Sequence, residues 1–188
     1  MYGIVTIVEG AEGAQITRAW EELRAKHGPE ATRGHNLPHV SYHVADDYDL
    51  SALERLLTRL AGTHAAVDIR VAGIGTLGHG SHRIVYLNVV RSPALASLQD
   101  ALWDTASAAG TGVIDHYHRD VWSPHVTLGD QTILLEQFPE LARRLGGAPV
   151  PDRFRVDNLA VIEEMPYGHE VRLRVSLQAP APGRTPGD

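Results

Sequence analysis

The spacing of hydrophobic and polar positions along this chain changes period several times, and each change marks an element. From Tyr2 to Val8, apolar and β-branched residues alternate with smaller or polar ones, the period-two signature of a strand. Between about Ala14 and His27 the period lengthens. Ile16, Trp20 and Leu23 recur at intervals of four and three, one apolar stripe of a helix that Gly28-Pro29 stops. Pro38 to Val44 predicts a second strand. Asp49 is placed to cap a helix carrying Leu50, Leu53, Leu57 and Leu60 on one side, and Ala66 to Ile74 is strand-like again. Gly73 to Ser81 supplies turn residues.

The second half runs through the same order. A strand from Arg83 to Val90 leads to a helix that opens at Ser92-Pro93, carries Leu95, Leu98 and Leu102, and stops at Gly110. A strand around Ser123 to Leu128, a short helix near Phe138 to Leu145 and a strand from Phe154 to Glu163 follow. The last strand, Val171 to Leu177, is reached through the turn Pro166-Tyr167-Gly168. Past Gln178 the Pro, Gly and Ala content shows no periodicity, so residues 179–188 are expected to be a flexible tail.

An offset of 125 − 39 = 86 lays His125 on His39, and the same offset carries Asp49 to Leu135 and Ala66 to Asp152, close to matching element starts. The pattern implies an internal duplication. The expected fold is α+β: one bilobal, pseudo-symmetric domain over residues 1–178, with lobes of about 1–80 and 81–178. Antiparallel sheets would flank a central cleft, with the helices outside.

A length of 188 residues suits one compact domain or two small lobes sharing a core. The chain has no cysteine, which excludes disulfides, thiolate metal sites and cysteine nucleophiles. Eleven histidines are many, and imidazole is the side chain that holds both protonation states near neutrality. Seventeen Lys and Arg against 23 Asp and Glu give a formal charge of −6, which argues against a broad face for long nucleic acid. A small or single-ended phosphate substrate fits better. Met1 to Val8 lacks the features of a signal peptide and no apolar run approaches a membrane span, so a cytoplasmic protein, expected to be a monomer and away from the membrane, is the reading.

Candidate chemistry concentrates in two motifs, Pro38-His39-Val40-Ser41 and Pro124-His125-Val126-Thr127, each opening a predicted strand after a proline. Side chains two apart share a strand face, so each histidine lies beside its hydroxyl while Val40 or Val126 points to the opposite, apolar side. Two such pairs, converging on one phosphate, meet the needs of in-line displacement. One imidazole takes a proton from the attacking oxygen, the other protonates the leaving oxygen, and the Ser41 and Thr127 hydroxyls hold non-bridging oxygens. A single His-x-Thr on a strand is commonplace. Two copies, each after a proline and at equivalent places in a repeat, are not.

These motifs, their order, and the stretch Trp122-Ser123-Pro124-His125-Val126-Thr127-Leu128 resemble the 2H phosphoesterase superfamily, which includes bacterial 2′-5′ RNA ligase-like proteins and cyclic phosphodiesterases. The resemblance covers the chain up to Gln178. It implies a bilobal fold with both histidines in a central cleft, and hydrolysis of 2′,3′-cyclic or related phosphodiesters with no metal or other cofactor. By position, His39 and His125 would be acid and base, and Ser41 and Thr127 would bind phosphate. Two departures stand out: Ser41 where threonine is commoner, and Gly129-Asp130 where ligase-like members often carry a basic residue.

Further candidates surround the motifs. His43 shares the predicted face of His39 and Ser41, and either lines the cleft or is a partly buried structural histidine. The segment Gly110 to Val121, with His116-x-His118-Arg119, leads into the second motif and either covers substrate, with Arg119 its most useful member, or is a solvated loop. Tyr86 is a candidate for stacking on a base, whereas Tyr42 and Trp122 alternate away from their histidines and are expected in the core. Leu77-Gly78-His79-Gly80-Ser81-His82 reads as a hairpin turn. The leading function is hydrolysis of a nucleoside 2′,3′-cyclic phosphate or an RNA-end cyclic phosphate. The alternatives are a non-catalytic nucleotide or RNA-end binding module with the same cleft, and, ranked last for want of a ligand spacing, a histidine-metal enzyme. The sequence does not decide which histidine is the base; the working assignment is His125 activating water and His39 protonating the leaving sugar oxygen.

Overall fold

The alternation along the chain becomes two antiparallel four-stranded sheets, each with a motif-bearing strand at its edge. The computed structural model describes residues 1–79, 82–129, 143 and 150–178. In chain order these form β1 (Tyr2–Ile7), α1 (Gly10–His27), β2 (His39–Ala45), β3 (Asp47–Tyr48), α2 (Leu50–Ala61), β4 (Val67–His79), β5 (His82–Val89), α3 (Pro93–Ala109), β6 (Gly110–Thr111), β7 (His125–Gly129), β8 (Arg153–Val156), β9 (Asn158–Met165) and β10 (Gly168–Ser176), with 3₁₀ turns at Pro29–Thr32 and Asp115–Tyr117. The helix expected near Phe138 to Leu145, Asp130 and the tail 179–188 lie outside the described residues, Arg143 excepted.

The fold is α+β, and the helices form where the apolar stripes lie. Ile16, Trp20 and Leu23 of α1 are buried, as are Leu53, Leu56 and Leu57 of α2 and Leu95, Leu98 and Leu102 of α3, all in one core shared with both sheets. Asp49 starts α2 by accepting a 2.9 Å hydrogen bond from the Ala52 N–H. Ser92 starts α3 in the same way, from Leu95 N–H at 3.3 Å, with Pro93 in the first turn. Leu50, expected on the α2 stripe, is 39% exposed.

The sheets do not divide the chain at residue 80. Their strand orders are β10-β9-β1-β2 and β7-β5-β4-β8, so β4 belongs with the second motif and β9 and β10 with the first. The duplication is strand-exchanged. β4 pairs with β5, the next strand in the chain, while β9 returns to complete the sheet of β1. A hairpin between consecutive strands closes the shortest loop, and β1, buried along nearly its whole length, then needs a partner on its second edge. The expected strand Phe154 to Glu163 accordingly breaks at Asp157: β8 pairs with β4, and β9 with β1. Gly73, Gly75 and Gly78, read as part of a turn, instead lie within β4, where Gly73 at φ 101° sits at a register shift between Val71 and Ile74.

Candidate active site

Around both motif histidines the backbone makes the same three kinds of hydrogen bond. The prolines, which have no N–H to leave unpaired, use their carbonyls: Pro38 O accepts from Val8 N–H at 2.8 Å and Pro124 O from Val89 N–H at 3.1 Å. Each imidazole then meets the carbonyl two residues before it. His39 Nδ1 donates to Leu37 O at 2.7 Å and His125 Nδ1 to Ser123 O at 2.8 Å. A carbonyl only accepts, so each Nδ1 carries the proton and each Nε2 keeps its lone pair in the neutral ring. Finally, β2 and β7 are edge strands, and indole N–H groups satisfy carbonyls beside the motifs. Trp122 Nε1, from the loop that leads into β7, donates to Ser41 O of β2 at 2.8 Å, and Trp20 Nε1, from α1, donates to Thr127 O of β7 at 3.1 Å, so each motif strand is held by an indole from another element.

The two edges meet across one cavity of about 440 Å³, lined by His39, His125, Thr127, Tyr117, His169 and Arg33 among others. Such a volume is of the size used for small-molecule sites. Among the described residues, four histidines (His35, His39, His125, His169) and Arg33 line the cavity with one carboxylate, Glu164, so nitrogen groups outnumber carboxylates there despite the acidic chain. Burial pushes the His39 imidazole down to about 4; the Leu37 carbonyl opposes this, and His169, His35 and His125 add to it. Burial also lowers His125 against the pull of the Ser123 carbonyl. Burial raises the Tyr117 phenol, while its hydrogen bond with the Ser41 hydroxyl opposes the rise. Among the described residues, no group of three or more metal-ligating side chains is arranged around an ion site.

The family model of the 2′-5′ RNA ligase superfamily matches residues 13–165. The chain belongs to that superfamily, the 2H phosphoesterases. Solved structures show the same fold at low identity. TT0787 of Thermus thermophilus aligns with a TM-score of 0.64 at 16% identity, over 95% of this chain and 98% of its own. E. coli LigT complexed with 3′-AMP gives 0.54 at 17% identity, over 94% and 98%. Usb1 of Kluyveromyces marxianus gives 0.55 at 12%, over 94% and 97%. No curated protein sequence matches the chain.

Within this 2H chain the motif residues do not all reach the cavity. His39, His125 and Thr127 line it; Ser41 does not, and its hydroxyl meets the Tyr117 phenol, which does. His43 turns away from the cleft. The β1–β2 pairing shifts register between Ile4 and Val5, leaving Tyr42 as an extra residue, and the half-buried/buried alternation of His39 to Tyr42 reverses phase. His43 is thereby fully buried, with Nδ1 on the Tyr48 hydroxyl, Nε2 3.0 Å from Ser107 Oγ, and its ring against Trp103. Arg119 is also not a cavity residue, because its guanidinium pairs with Asp104 of α3. The same loop sends in Tyr117 instead, from the 3₁₀ turn that precedes it. Tyr86 stands beside His125, ring centroids 5.2 Å apart, over Gly75, where any Cβ would lie 2.6 Å from the Tyr86 ring. Tyr42 and Trp122 are core residues, their rings in tilted contact with centroids 5.6 Å apart.

Sequence reasoning missed Arg33, His35, Tyr117, Glu164 and His169. Arg33 and His35 belong to the loop before the first motif, and Glu164 and His169 flank the β9–β10 turn. A histidine directly after the turn Pro166-Tyr167-Gly168 was the available signal. Nothing local joins it to His39, 130 residues earlier.

Proposed function

We propose that this 2H phosphoesterase hydrolyses a cyclic phosphodiester, a nucleoside 2′,3′-cyclic phosphate or an RNA-end cyclic phosphate, by paired general acid–base catalysis without a metal. The observation that carries the reading is the shared cavity of His39 and His125, each ring turned by the same Nδ1–carbonyl bond so that Nε2 is the available nitrogen. One neutral imidazole takes a proton from water as its oxygen attacks phosphorus. The other, protonated, gives its proton to the ribose oxygen that departs, and the product is a phosphomonoester beside a free hydroxyl. The two rings finish with exchanged protonation states, and proton exchange with solvent resets them. Thr127, and Ser41 through the Tyr117 hydroxyl, supply donors for the charge on the non-bridging oxygens. Complexes of the similar LigT with ATP and with 3′-AMP are in keeping with a nucleotide-sized ligand.

The test is a screen of 2′,3′-cyclic nucleotides and cyclic-phosphate-ended oligonucleotides with EDTA present, reading product regiochemistry. Turnover should survive chelation. Loss on chelation with recovery on added zinc or manganese would sink the metal-free mechanism, and tight nucleotide binding without turnover of any cyclic phosphate would replace the enzyme with a binding module.

A further inference from the structure

The two motif histidines share their backbone bonds but not their surroundings. At offset 86, the residue three before His125 is Trp122, and the residue three before His39 is Asn36. Trp122 reaches across to Ser41 of the other sheet. Asn36 instead clamps the β9–β10 hairpin: its Nδ2 donates to His169 O at 3.0 Å, and its Oδ1 accepts from His169 N–H at 2.8 Å. One side-chain amide thus pairs with both backbone groups of one residue, as a neighbouring strand would. The fit depends on Gly168, whose φ of +152° is rarely adopted by other residues, and where a Cβ would lie 2.7 Å from Asn36 Cγ. The pinned residue carries the His169 ring to 5.0 Å from the His39 ring, edge to face at 71°. The chain leaving Asn36 supplies Leu37 O to His39 Nδ1 and Pro38 O to Val8 N–H, so the clamp and the His39 ring are parts of one fixed segment.

We propose that Asn36 is a positioning residue: by clamping the β9–β10 hairpin to the segment before the first motif, it holds the His169 ring against His39 and so fixes the surroundings of that histidine without touching those of His125. It acts through His169 and does not itself touch substrate. The groups facing His39 are Leu37 O, which favours its charged form, and His169, His35 and His125, which oppose it, with Glu164 beside His169 and Arg33 and Tyr117 elsewhere on the wall. Breaking the clamp takes the His169 ring away and admits water, both of which favour the His39 imidazolium. The chemical role assigned to His39 rests on the proposed function, but the geometry does not.

The test is therefore read without substrate, from ring-nitrogen NMR titrations of the full chain. In the wild type, His39 and His125 should each show one tautomer with the proton on Nδ1. N36A should move the His39 titration upward toward the ordinary histidine range and leave His125 where it was. G168A, which displaces the same amide by a different atom, should do likewise, and the double variant should add little to either single change. H169Q should reproduce the His39 shift with the clamp intact. In turnover, N36A should lower kcat by about 10–100-fold with KM little changed. If His39 titrates as in the wild type in N36A and H169Q, or if His39 and His125 shift together, the proposal is overturned. Failure of the two-histidine mechanism would show separately, as near-native turnover in H39A and H125A.

Discussion

Varying pH perturbs the paired imidazoles directly, because the reaction needs one of them neutral and the other charged. In the protein alone His39 is pushed down to about 4 and His125 below the ordinary 6.5, burial being the leading cause for both. At pH 7 a group of that affinity is charged in only ~10⁻³ of molecules, and charging it costs ~4 kcal/mol at 1.36 kcal/mol per unit. The free enzyme governs kcat/KM, so its bell should peak below pH 6.5 and fall about tenfold per unit above its alkaline limb. A bound phosphodiester brings negative charge, which favours imidazolium and offsets the burial. The kcat profile, set by the complex, should therefore lie at higher pH than the kcat/KM profile. Initial rates on a 2′,3′-cyclic nucleotide at constant ionic strength, with kcat and KM resolved at each pH, measure both. An acid limb of kcat/KM above pH ~7, or two superimposed profiles, would refute this account of the cleft. The acid side needs a folding control. His39 and His43 are both held down to about 4, so below 6.5 the unfolded chain binds more protons than the native one, and stability falls as pH drops through that window. Far-ultraviolet circular dichroism over the same range separates unfolding from catalysis.

Alanine at His39 or at His125 should each lower turnover by ~10²–10⁴-fold, with the double variant little worse than the poorer single, as single-turnover rates would show. Thr127→Ala should cost ~1.5–3 kcal/mol in kcat/KM, because Thr127 lines the cavity, while Ser41→Ala should cost less and resemble Tyr117→Phe, its hydroxyl being spent on that phenol. Trp122→Phe strips the indole N–H from the Ser41 carbonyl and should destabilise the fold by ~1–3 kcal/mol in denaturant unfolding.

What the sequence made legible was local in origin. Period and capping residues located the helices, since Asp49, Ser92-Pro93 and the apolar stripes act within a turn or two of where they stand. The motif pair was legible for the same reason: Pro-His-Val-Ser and Pro-His-Val-Thr carry their own strand phase and their own Nδ1 partner two residues back. Phase stops being local where a bulge intervenes. A register shift of β2 against β1 is set by the partner strand, so His43 could not be placed from alternation alone. The lobe boundary near residue 80 missed on a similar point, because the pairing of β4 with β5 is not written in the alternation of β4 itself. Arg119 and Tyr117 lie two residues apart in one loop, and Asp104, on another element, selects which of them is drawn away from the cavity.

A duplicated backbone supplies two equivalent imidazoles, whereas general acid–base catalysis needs them unequal, so the difference must come from what surrounds each ring. His39 meets His169 and has His35 near it, groups that repel its charged form, while His125 meets the Tyr86 ring, whose π-system carries no such penalty. The proton in the ground state is thus expected on His125, with His39 neutral. If that arrangement is also the reactive one, His39 takes the proton from water and His125 gives one to the leaving ribose oxygen. A substrate with an activated leaving group needs no acid, so it should restore turnover to His125→Ala and not to His39→Ala. Restoration of His39→Ala alone would mean that the reaction runs through the minor protonation state, reached only once the phosphate is bound. In that case the alkaline limb of kcat/KM would still follow the affinities of the free enzyme, because both states hold the same number of protons and a pH profile alone cannot tell them apart.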